Sequence, residues 1–153
     1  MNIRFNEKSF FDEDIQVFDE SNFLIAEIIK KRGYFVLSYE EQIYYIETNG
    51  ILNLKSFIKT EKDDSIVAEI NTTSTITCRI NVKNEKFYFV FLNAIDYNFK
   101  LKNEKKEIVL NCLNKVFTNN GTASFKTEIE IIIVLFSILL MTNRRRIFQQ
   151  KLI

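Results

Sequence analysis

Histidine is absent from this chain, and its two cysteines, Cys78 and Cys112, stand far apart in the sequence. The missing imidazole removes the usual general base near neutral pH, the histidine-activated serine or cysteine nucleophile, and imidazole metal ligation together. Two isolated thiols make a poor zinc set. Cys78 shares its alternation phase with Ile76, Ile80 and Val82, which predicts a core position for it. The segment Glu61-Lys62-Asp63-Asp64 is acidic but lacks the spaced oxygen ligands and the glycine of a calcium loop, so it reads as a solvated turn. Neither a glycine-rich phosphate loop nor a dinucleotide fingerprint is present. Any catalysis would fall to Asp, Glu, Lys or Tyr, and no catalytic residue, cofactor or metal site is expected.

Charge offers more. Twenty-one lysines and arginines face 20 acidic residues, a net charge of +1, so no global field attracts nucleic acid and none is expected as a partner. A basic site must be local. Two clusters qualify: Lys30, Lys31 and Arg32 ahead of Gly33, and Arg144, Arg145 and Arg146 directly after an apolar run. These six are the candidate contacts for an anionic lipid or a partner. At the end of a helix, the arginines would complement the negative end of its dipole and lie at a barrel mouth, where they could also gather phosphate head groups. Capping and solubility account for the same triplet. A third group, Lys100, Lys102, Lys105 and Lys106, is interleaved with Glu104 and Glu107 and reads as a solvated hairpin.

The elements that carry these clusters follow from hydrophobic patterning. Dense alternation of β-branched and aromatic residues predicts strands over 3–5, 15–18, 23–28, 34–37, 43–46, 75–82 and 87–91, separated by polar clusters such as Asp19-Glu20-Ser21-Asn22. Segments 15–28, 57–70 and 99–112 align without gaps at a spacing of 42 residues. Each reads as strand, polar turn, strand, with two more strands between copies. Residues 107–117 also fit one face of a helix, and only the repeat favours a strand there. Three copies are too few for a propeller, which leaves a mainly β (α+β) fold: a closed antiparallel barrel of 11–12 strands.

A barrel that wide needs a filler. Residues 129–142 form an almost uncharged run, apolar on every face, about 21 Å long as a helix and short of the ~30 Å hydrocarbon core of a bilayer. A central apolar C-terminal helix over about 128–143 is therefore expected inside the barrel. With no proline, three glycines and no low-complexity linker, 1–153 reads as one domain. The segment Met1-Asn2-Ile3-Arg4-Phe5-Asn6-Glu7-Lys8 has no basic start followed by an apolar stretch. That favours the cytoplasm and reduced, buried cysteines, while peripheral contact at the membrane is an expectation from the basic clusters.

The meander ending in Ser124-Phe125-Lys126-Thr127-Glu128 before the apolar run, together with hairpins such as the one from Val17 to Ile28, resembles the tubby-like superfamily. That superfamily includes the tubby carboxy-terminal domain, phospholipid scramblases and the plant LURP-one-related proteins. The resemblance covers almost the whole chain and implies a closed barrel around a buried helix, in a family whose better-known members meet membranes through phosphoinositide binding or phospholipid movement. The cysteine cluster and proline-rich amino-terminal region of scramblases are missing, and no acidic calcium-binding segment lies beside the helix. No motif matches the lipid-binding residues of tubby. The leading expectation is a non-enzymatic intracellular domain that binds anionic phospholipid, a membrane surface or a protein. Two alternatives are a tail-anchored protein with 129–142 in the bilayer, and an enzyme or carrier for a lipid or small apolar ligand.

Overall fold

A computed structural model describes residues 1–9, 12–47, 55–72, 77–91, 98–114 and 120–151. Twelve strands close into one antiparallel barrel: β1 (Asn2–Ser9), β2 (Asp12–Phe18), β3 (Leu24–Lys31), β4 (Tyr34–Tyr39), β5 (Gln42–Glu47), β6 (Lys55–Thr60), β7 (Ile66–Thr72), β8 (Thr77–Val82), β9 (Glu85–Phe91), β10 (Phe99–Lys102), β11 (Ile108–Asn114) and β12 (Gly121–Phe125). Each strand pairs with its sequence neighbours. β1 closes the barrel against β12, with Ile3 opposite Ala123 and Phe5 opposite Gly121. The seam is reinforced by Phe125 N–H donating to the Met1 carbonyl (2.9 Å) and by Ser124 Oγ donating to Asn2 Oδ1 (2.7 Å).

Alternation sets the wall. Inward residues pair face to face across the ladders, Ile15 with Ile28, Ile46 with Ile58, Ile70 with Ile80, and Cys112 with both Phe99 and Ala123, and all are buried. Both cysteines are free, buried thiols, and burial pushes the Cys112 thiol well above its ordinary pKa. The ambiguous 107–117 segment contains strand β11, as the repeat favoured; residues 115–117 lie outside the described set.

The 42-residue repeat is written into the backbone. In three hairpins the second strand skips one residue of the ladder: Ile25 in β3, Val67 in β7 and Val109 in β11. Left-handed residues in the preceding turns, Asn22, Asp64 and Lys106, recur at the same interval. Such bulges bend a strand and raise its twist, which helps a wide sheet to close. They also flip the alternation, so the residues just before them, Leu24, Ile66 and Ile108, face outward and are exposed. The third copy supplies only β10, β11 and β12, and β1 completes it.

Helix α1 (Ile131–Lys151) fills the axis. Every side chain from 133 to 143 is buried, on all faces of the helix, in one core with the inward residues of the strands. Phe136 meets Tyr44 of β5 edge to face, with centroids 5.1 Å apart. Two hydroxyls in this apolar setting are satisfied within the helix: Ser137 Oγ donates to the Ile133 carbonyl and Thr142 Oγ1 to that of Ile138, each at 2.8 Å. The expected boundaries, about 128–143, need correction. The helix begins at Ile131 and runs on through Arg144, Arg145 and Arg146 to Lys151. A change from apolar to charged residues marks where a helix leaves its cover, whereas ending it takes a break such as a glycine or a proline, and neither stands at 143–151. The arginines therefore lie within the helix and do not follow its last turn.

Candidate functional site

In an up-and-down barrel, successive turns alternate between the two ends. The β2–β3, β4–β5, β6–β7, β8–β9 and β10–β11 turns share one end, and α1 enters there after β12. The β3–β4 turn lies at the other end, toward which the helix runs. A helix of 21 residues is about 32 Å long, whereas tilted strands of six to eight residues rise only about 15–20 Å along the axis. The carboxy-terminal part of the helix thus outruns the wall at the end that holds the β3–β4 turn. The two basic clusters, over a hundred residues apart in sequence, therefore belong to the same end of the barrel.

Lys31 pairs with Tyr34 across the last rung of the β3–β4 hairpin, leaving Arg32 and Gly33 as its tip. Gly33 adopts φ +87°, a conformation that a side chain would strain, although the space around it is open. Lys31 and Arg32 are exposed, and Lys30 is half-buried with its backbone N–H donating to Asp14 Oδ1 at 3.0 Å. Arg144, Arg145 and Arg146 are placed by the helix backbone.

The opposite end has the opposite charge. The five turns there and the 126–130 crossing into the helix carry eleven acidic residues and five lysines, a net charge of −6. Since the chain as a whole carries +1, everything outside that end carries +7. Hydrogen bonding lowers the pKa of two of these acids. Asp63 accepts from Thr60 Oγ1, from Ser65 Oγ (2.7 Å) and from Ser65 N–H (3.1 Å), which holds its carboxyl down at a pKa of about 2. Glu107 is lowered by the Asn103 amide, 2.8 Å away, and by Lys126. Lys83 reaches Glu130 at 2.7 Å, tying the β8–β9 turn to the helix start and raising the lysine's pKa.

A groove of about 690 Å³ lies where the helix enters, between β4–β5 and β7–β9. Tyr39, Tyr44, Ile66, Val67, Ile131, Ile132 and Phe136 form its apolar lining, and Glu40, Lys83 and Glu130 its polar rim. Burial, followed by the Glu40 carboxylate, raises the Tyr39 pKa and keeps its phenol protonated. These residues escaped the sequence reading because they come from five separate segments. Their one shared signal is the unpaired look of Glu130 at the head of an apolar run.

No group of three or more acids and cysteines that could hold a metal occurs among the described residues. Among them, too, no helix is long and apolar enough to cross a membrane, and the side chains of 133–142 face protein on every side. No protein-family model, curated protein or solved structure matches this chain.

Proposed function

We propose that this barrel is a non-enzymatic, tubby-like, cytoplasmic domain that docks peripherally on anionic phospholipid through the end where α1 emerges. What supports this reading is that the backbone of Lys30, Lys31 and Arg32 and the arginine-bearing part of α1 belong to one end of the barrel, together with the −6 charge at the far end. Attraction at one end and repulsion at the other orient the molecule as well as bind it. Each cation held near an anionic leaflet contributes about 1 kcal/mol, so six of them suffice for reversible binding without an inserted anchor.

Sedimentation with phosphatidylcholine vesicles, with and without phosphatidylserine, tests this. Binding is expected only to the anionic vesicles and should fade as salt rises from about 0.1 M to about 1 M, where the Debye length falls from about 10 to about 3 Å. The triple variant Lys30→Glu, Lys31→Glu, Arg32→Glu should bind at least about tenfold more weakly while unfolding at the same urea concentration. Binding that ignores both salt and these substitutions would refute the proposal.

A further inference from the structure

The groove at the helix-entry end is the least explained feature of the surface. It is open, it is apolar along its floor, and it lies on the side of the molecule facing away from the basic mouth. Its floor is made by Ile131 and Ile132, the first two residues of α1, with Ile66 and Val67 from the bulged start of β7. Ile66 is 56 % exposed, the most exposed of the three outward-facing residues that precede the bulges. An exposed aliphatic next to half-buried isoleucines offers a side chain of a partner a place to be desolvated.

What surrounds that floor selects the partner. Glu40 and Glu130 line the groove itself, and Glu41, Glu61, Asp63, Asp64 and Glu128 lie on the neighbouring turns of the same net-negative end. Lys83 also lines the groove and pairs with Glu130, which leaves Glu40 as the lining acid that faces a partner. An apolar floor inside an anionic rim complements a short peptide with lysines or arginines on either side of an aliphatic or aromatic residue.

We infer that this groove docks a basic peptide segment of a protein partner, its apolar residue seated against Ile66, Ile131 and Ile132 and its cations facing the acidic hairpin tips. Two such opposed surfaces make the domain an adaptor in form. The groove takes none of its contacts from the basic mouth; it shares with the lipid reading only the negative charge of the acidic end.

Panning a random decapeptide library on the immobilised full chain tests the inference. Enriched sequences should carry at least two lysines or arginines around an aliphatic or aromatic residue. Synthetic copies should bind saturably and shift the methyl signals of Ile66, Ile131 and Ile132. The double variant Ile66→Ser, Ile131→Ser, which leaves the charge of the acidic end as it is, should weaken that binding at least about tenfold, while its vesicle sedimentation stays as in the parent. Failure to enrich any sequence, enrichment of acidic or uncharged sequences, or equal binding by the double variant would each overturn the inference. The lipid reading would remain untouched by any of these. Enriched peptides matching 144–151 of this chain would also overturn it, in favour of head-to-tail self-association.

Discussion

At the scale of single residues, the β6–β7 turn shows how one substitution in a repeat rewires its chemistry. In the first and third copies, Asp19 and Asn103 open the turn, each accepting backbone N–H bonds from residues two and four positions on. The second copy has Glu61 there, whose extra methylene makes that short reach unfavourable. Its turn closes one residue earlier, with Asp64 N–H donating to the Thr60 carbonyl, and Asp63 takes over as acceptor. Because the Asp63 pKa is depressed from 3.8 to about 2, its hydrogen bonds stabilise the folded hairpin fully above the unfolded value. That stabilisation is lost as pH falls through about 2. Carboxyl-carbon NMR should give Asp63 a midpoint near 2, and Thr60→Val should move it up toward 3.8. A midpoint of 3.8 in the parent protein would contradict the bonding pattern.

At the scale of elements, the helix is the packing centre. Leu139 is fully buried inside the barrel, whereas Leu113 on the outer face of β11 is 59 % exposed. Leu139→Ala should cost about 2–5 kcal/mol in urea unfolding, through lost burial and the cavity left behind. Leu113→Ala should stay within about 0.5 kcal/mol. Equal effects would mean that the helix is not enclosed. This element was legible because apolarity on every face cannot be satisfied on the side of a sheet. The strands were legible too, since their alternation reports inside and outside at each residue, and the repeat carried β11 past its helix-like periodicity. The far end of α1 was not legible. Polarity reports cover, and the backbone from Asn143 onward meets nothing that stops a helix. The bulges at Ile25, Val67 and Val109 were hidden for a related reason, being defined by pairing with another strand.

At the scale of the molecule, parity decides where the charges go. With twelve strands, the helix enters beside the even-to-odd turns and leaves beside the β3–β4 turn. Eleven strands would have reversed its direction and put the arginines among the acidic tips. The sequence alone allowed either count, so both basic clusters could be read from it while their convergence could not. The resulting separation, −6 at one end and +7 elsewhere, is a property of topology more than of composition. It predicts a fixed pose on a membrane. The native thiols, Cys78 and Cys112, are buried, so an introduced cysteine can be labelled selectively. A fluorophore on Tyr34→Cys, beside the β3–β4 tip, and one on Ser21→Cys, at the opposite end, measure the pose on phosphatidylserine vesicles containing brominated lipid. Strong quenching is expected at position 34 and little at 21; equal quenching at both, or stronger quenching at 21, would rule out docking through the basic end.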